Sequence, residues 1–379
     1  MIQSTIKIIY HIDDLKNITG EIETLIFHKL FNQKIKKISE KIVNITFGYG
    51  FNQSINNLPK NLIHLTFGEA FNRPVDNLPN TLTYLTFGDS FNQPVDNLPK
   101  SLTYLTFGHS FNQSVDNLPE KIIHLTFGEK FDRSVDNLPE NLTHLIFGCR
   151  FNQSVDNLPE NLTYLTFGGC FNQSVDNLPK NLTHLTFKLM FNQSVDNLPN
   201  NLTYLTFGYS FNQSVDNLPQ SLTHLTFGHI FNKLVDNLPK SLTHLTFDHN
   251  FNKPVDNLPE NLTHLAFHHD FNKPVDNLPQ NLTHITFDNY YKQTINNLPK
   301  KITNLTLINI NGLLNNLLNN LPENIKKLKI LFIDNGYYNT FVNKEVSNLP
   351  PTLEKIILSN QKYIKYIKIP FGVKLEIKN

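Results

Sequence analysis

The chain has 379 residues, two cysteines, no tryptophan and a formal net charge of +1. That balance gives no global pull toward nucleic acid or a membrane surface, so neither is expected as a partner. Two cysteines make no disulfide framework and suit a reducing compartment; with no long apolar run near Met1, the expected location is cytoplasmic.

Met1 to Glu21 lacks any repeat and is read as an N-terminal cap, with Ile6 to Tyr10 as a strand covering the first exposed rung. From Ile22 to Ile302 an apolar pattern returns at a constant step of 20 residues, fifteen copies in all, so residues 22–307 form a regular repeat block. Looser copies follow at Ile325-x-x-Leu328-x-Ile330 and Leu353-x-x-Ile356-x-Leu358, within a degenerate segment 308–358. Residues 359–379 are read as a basic C-terminal cap. The ends are basic and the repeat block is acidic: residues 300–379 hold 12 basic and 5 acidic side chains, whereas residues 61–299 hold 13 and 22. The basic ends are either solvated caps that discourage end-to-end stacking or a docking site for an acidic partner.

Within one copy, Leu65-Thr66-Phe67 alternates inward, outward, inward, which predicts a short strand. Gly68 is expected to permit the turn that ends it. Phe71, Val75 and Leu78 carry helical spacing, but the residues between them are weak helix formers. Turns, or one 3₁₀ turn, are therefore expected there, with Pro79 stopping any continuation. Six side chains per copy point inward: Leu62, Leu65, Phe67, Phe71, Val75 and Leu78. One copy of 20 residues cannot offset its own ordering entropy with so small a core, so each needs a neighbour on both sides. The fold class that follows is a β-rich solenoid with one short parallel strand per 20-residue repeat and turns or 3₁₀ on the opposite side.

Leu-x-x-Leu-x-Phe resembles the core of leucine-rich repeats. Phe-Asn-x-Pro stands at Phe71–Pro74, Phe91–Pro94, Phe251–Pro254 and Phe271–Pro274, followed by Val-Asp-Asn-Leu-Pro. With that second half the chain resembles the FNIP repeat family, known from cellular slime moulds and giant viruses of amoebae. The resemblance implies a leucine-rich-repeat-like right-handed superhelix whose concave strand face recognises proteins. It departs in its period, 20 rather than 22, and in the frequent Ser in place of Pro, as at Ser114 and Ser154. Asn72 and its equivalents are expected to take over the backbone bonding of the missing leucine-rich-repeat asparagine. Family members often carry an F-box that docks a ubiquitin ligase; 21 residues before the first copy leave no room for one.

Two registers are candidate partner-binding positions. The first is His64, Tyr84, Tyr104, His124, His144, Tyr164, His184, Tyr204, His224, His244, His264 and His284. These rings pack as a ladder on their own neighbours or offer an amphipathic recognition surface, and the two readings are compatible. The second is the variable register after the glycine, with Glu69, Asp89, Glu129, Arg150, His229, His249 and His269. It is either unspecified solvent-facing sequence or the seat of partner specificity.

Two further columns are read as structural. Histidines on adjacent rungs invite a metal, but nothing in the sequence fixes their geometry, so no metal and no cofactor is expected. The aspartate column from Asp76 to Asp276 is expected to cap turns through nearby backbone N–H groups, with bound calcium as the alternative. No nucleophile–base set, phosphate loop or zinc-protease motif occurs, so no enzyme is expected. The functional expectation is a monomeric, non-enzymatic scaffold that binds a partner protein on its strand face. The alternatives are a substrate-recognition subunit working with a ubiquitin ligase, or a passive structural component.

Overall fold

The structure is a computed structural model that describes residues 5–17, 22–288, 290–308, 321–331, 348–361, 364 and 367–378. Parts of the expected caps and most of the degenerate segment 308–358 lie outside the described residues. The chain divides into two compact units, Met1–Phe191 and Asn192–Asn379. Both are parallel β-solenoids of leucine-rich-repeat type. No helix among the described residues is long and apolar enough to cross a membrane.

In the first unit, strand Thr5–Ile9 pairs in parallel with Ile22–Phe27, close to the covering strand expected over Ile6 to Tyr10. Each later strand then pairs in parallel with the next one along the chain, in register at the 20-residue step: Leu65 faces Leu85, and Leu145 faces Leu165. The second unit repeats this from Tyr204–Thr206 onward. Its last pairings absorb the irregular spacing of the looser copies: Asn304 faces Lys327, Lys327 faces Lys355, and Lys355 faces Lys374. Residues 28–43 and the corresponding stretches up to residue 303 contain turns and irregular backbone but no helix. The described 3₁₀ helix, Ile12–Asn17, precedes the repeats.

The core is the six-residue set expected from one copy. Leu62, Leu65, Phe67, Phe71, Val75 and Leu78 are all buried, and so are nearly all their equivalents along both units, Ile22 and Leu58 in the first copies being only half-buried. The phenylalanines form two parallel stacks that also touch each other. Phe67 lies 3.8 Å from Phe71 within a rung and 5.6 Å from Phe87 on the next, centroid to centroid. A turn closes each rung where Pro79 O accepts the Leu82 N–H, so the proline sits where a continuing helix would need its missing donor.

Two polar ladders run alongside this core. The asparagine ladder is as expected in role: Asn52 Oδ1 accepts the Asn72 N–H at 3.0 Å, and Asn72 Oδ1 accepts the Asn92 N–H at 3.0 Å. Asp132 takes one step of the same ladder, accepting the Asn152 N–H at 3.0 Å. The aspartate column works differently from the expected backbone cap. Asp116 Oδ2 accepts the Ser114 hydroxyl at 2.7 Å, and its Oδ1 accepts the Asn137 side-chain amide of the following rung at 3.1 Å. Each aspartate is thus tied to the next coil by a side chain, which offsets the repulsion of stacked like charges. The Ser114 bond, then the Asn137 bond, hold the Asp116 carboxyl below its usual range.

The glycine register also has a different cause from the one expected. Among the described glycines only Gly372 has positive φ, so the strand-ending turn does not require glycine. Close approach does. A Cβ on Gly68, Gly88, Gly108, Gly128, Gly148, Gly168 or Gly228 would stand between 1.8 and 2.3 Å from the backbone oxygen of the glycine one rung earlier. In rungs that keep glycine the strands are three residues long, as in His64–Thr66. Where Asp248, His268 and Asp288 replace it, the strands are His244–Phe247, His264–Phe267 and His284–Phe287, four residues each. The His268 N–H now reaches Phe247 O at 3.1 Å, extending the ladder by one step. Lys188 replaces the glycine once more without lengthening its strand, His184–Thr186.

Candidate surface on the strand face

In the regular rungs each strand buries its middle residue and turns its first outward, and its third too except at Thr166, so a 20-residue period stacks the first residues into a column. In the first unit the rings of His64, Tyr84, Tyr104, His124 and His144 follow one another at centroid distances of 4.1–4.4 Å. The spacing widens to 5.6 Å on either side of Tyr164. In the second unit Tyr204, His224, His244, His264 and His284 stack at 4.1–4.2 Å. Parallel strands lie about 4.8 Å apart, so planar rings in one register are brought to stacking distance by the sheet itself.

Threonine fixes the histidines that follow it in this column, which leaves out His64 and His124, preceded by Ile63 and Ile123. The Thr243 hydroxyl donates to Thr223 O at 3.1 Å, and the same oxygen lies 2.9 Å from His244 Nδ1. The arrangement recurs at Thr143 with His144, Thr263 with His264 and Thr283 with His284. Nδ1 is therefore committed to the scaffold. Burial pushes the imidazoles of His64, His124, His144, His184, His244 and His284 below the ordinary histidine range. His264, squeezed further by the charges its neighbours His284, His244 and His224 would carry, is pulled down to about 4. These shifts disfavour the charged form of those imidazoles.

In the second unit this surface has a dent of about 320 Å³. Its walls are His244, His264 and His284, with Thr246 and Thr286 on either side of Ala266. Alanine stands there in a register of threonines, and the missing side-chain atoms open the dent. Ala266 was not among the residues singled out from sequence; Ile146 also departs from the threonine register, but Ala266 shortens the side chain where Ile146 enlarges it.

The variable register is more ordered than unspecified solvent-facing sequence would be. The Glu69 carboxylate accepts the Asp89 N–H at 3.0 Å, and Asp89 in turn accepts the His109 N–H at 3.1 Å. His109 Nδ1 lies 3.0 Å from Glu129. The Arg150 N–H bonds Glu129 O at 2.9 Å. Further along, Tyr209, His229, His249, His269 and Tyr290 form a second ring stack. Of these, Tyr209 and Tyr290 were not among the residues singled out from sequence. The strand-face column and the variable register thus each form a stacked surface within the units.

Comparison with known proteins agrees with this architecture. Ten segments of the chain match the FNIP Repeat family, the first at residues 31–70 and the last at 271–309. Among curated proteins, none matches the sequence. Among solved structures, CroV588, described as a novel circular LRR protein structure, is 34% identical with a TM-score of 0.72; the similarity covers 100% of this chain and 70% of that one. The Toll–Spatzle complex of Drosophila matches at 12% identity and a TM-score of 0.55, covering 98% of this chain and 61% of that one. YopM from Yersinia enterocolitica WA-314 is 17% identical with a TM-score of 0.47, over 96% of this chain and 92% of that one.

Proposed function

The chain belongs to the FNIP repeat family, and from that premise we propose that it is a non-enzymatic scaffold binding a partner protein through its strand face. Leucine-rich-repeat-like folds are typical of protein-interaction scaffolds. The observation that carries the reading is the stacked rings within each unit, His64 to His184 in the first and Tyr204 to His284 in the second, together with the neighbouring register at Glu69, Asp89, Glu129, Arg150, His229, His249 and His269. Tyrosine and histidine rings present apolar faces with polar edges, the chemistry that suits the centre of a protein interface. Ordering them by stacking and hydrogen bonding before binding lowers the entropy lost on association.

Proximity labelling in the native cell tests this. The full chain is compared with a Glu69→Lys/Tyr84→Glu variant on the strand face and with Lys100→Glu in an exposed turn. Loss of the labelled partner from the strand-face variant alone supports the proposal. An unchanged partner set in all three chains contradicts it.

A further inference from the structure

The sequence argues against a metal at the clustered histidines because it fixes neither their geometry nor any supporting contact. The structure supplies both. His249 and His269 stack on adjacent rungs at 3.6 Å between centroids, tighter than any neighbouring pair of the strand-face column. The carboxylate of Asp270 lies against both imidazoles. Its Oδ1 is 2.8 Å from His269 Nδ1, and its Oδ2 is 4.0 Å from His249 Nδ1. One ligating atom from each of the three residues falls within 4.8 Å of the others, and all three are half-buried.

A second observation sets the place apart. His269 has φ of +26°, and among the described residues it is the one non-glycine with positive φ. Left-handed backbone is costly for a residue with a Cβ and persists where surrounding structure holds it. Here it falls on a side chain of the cluster. Beside the cluster lies an open cavity of about 390 Å³ lined by Asn250, Asn252, Asp270, Asn272 and Tyr290 among others, with room for water on an ion.

We propose that His249, His269 and Asp270 bind one divalent first-row transition ion of the zinc, cobalt or nickel class. Two imidazoles and a carboxylate suit such ions, whereas magnesium and calcium prefer all-oxygen shells and copper(I) prefers sulfur. Ligand bonds of about 2.0–2.2 Å place tetrahedral ligand atoms roughly 3.4 Å apart. The three ligating atoms start within 4.8 Å of one another, so binding the ion draws them closer together. Water from the cavity completes the coordination. The Asp270 carboxylate exchanges its contact with His269 Nδ1 for the ion, and each ligating nitrogen binds in its deprotonated form.

The test is titration of the full chain with Co²⁺, read by the visible absorption of the bound ion, followed by displacement with Zn²⁺. The site predicts a signal saturating at one equivalent, displaced by zinc, and a zinc-dependent rise in melting temperature. Asp270→Asn, which keeps shape and volume, and His249→Ala each weaken Co²⁺ binding at least tenfold. His229→Ala removes the ring stacked on the other side of His249 and leaves binding unchanged. A wild-type chain without a saturable signal overturns the proposal. So does equal affinity in Asp270→Asn and His249→Ala, or a loss in His229→Ala as large as theirs.

Discussion

A methyl group placed on Gly168 would meet the carbonyl oxygen of Gly148 at 1.8 Å. Two consecutive coils therefore touch backbone to backbone at this register, and nothing flexible is available to give way. Gly168→Ala is expected to destabilise the chain by at least about 1–3 kcal/mol, as overpacking of a well-filled interior does. A urea denaturation midpoint measures it. Gly50→Ala, whose new Cβ would stand 3.2 Å from Lys29 O, is expected to cost clearly less. Equal midpoints for the two variants would show that the close approach carries no weight.

The asparagine ladder predicts which replacements are tolerated. Asn92 Oδ1 accepts the Asn112 N–H at 2.9 Å and the Gln113 side-chain amide at 3.1 Å. Asn92→Ala strands a part-buried backbone donor and is expected to cost about 1–3 kcal/mol. Asn92→Asp keeps the acceptor, and Asp132 already fills this position two rungs along the ladder. Thermal melts should rank the chains as wild type, then Asn92→Asp, then Asn92→Ala.

Stability should fall in acid in two windows. The column histidines have folded pKa values below 6.5, so the unfolded chain takes up their protons first. Their contribution is complete above about 6.5 and is lost as pH falls toward the folded value, about 4 at His264. Asp116, Asp156 and Asp216 are also lowered, by serine and then asparagine hydrogen bonds, and their contribution is lost only below the ordinary aspartate range. A melting-temperature profile should thus begin to drop near pH 6.5. His264→Tyr, the ring used in other rungs, should flatten the first step while leaving the second.

Cys149 and Cys170 are free, with their sulfurs 4.0 Å apart on neighbouring rungs. Burial, and then the contact with Cys149, push the Cys170 thiol above its ordinary range. Alkylation acts on the thiolate. Cys170 should therefore react with iodoacetamide more slowly than an exposed free thiol at the same pH, measured by mass spectrometry.

Much of the fold was readable because burial repeats with the period. Leu62, Leu65 and Phe67 announce an inward-facing strand, and one in-phase recurrence after another leaves stacking as the way to cover them. What the sequence could not convey depends on the distance between coils. The glycines read as turn formers because the sequence does not reveal that Gly148 O lies against Gly168. Asp116 read as a turn cap because one of its two partners, Asn137, is 21 residues away. The same limit hid the Tyr209–His229 stack and the approach of Asp270 to His249, both of which need coordinates.

The strand-face proposal is tested most directly by hydroxyl-radical footprinting of the chain with and without its captured partner. Tyr84 and Tyr204 are 39% and 41% exposed on the strand faces of their own units, and Leu234 is 57% exposed outside the strands. Protein binding at the strand face predicts that oxidation of Tyr84 or Tyr204 falls on complex formation while Leu234 is oxidised as before. Protection of Leu234 with both tyrosines unchanged would contradict it.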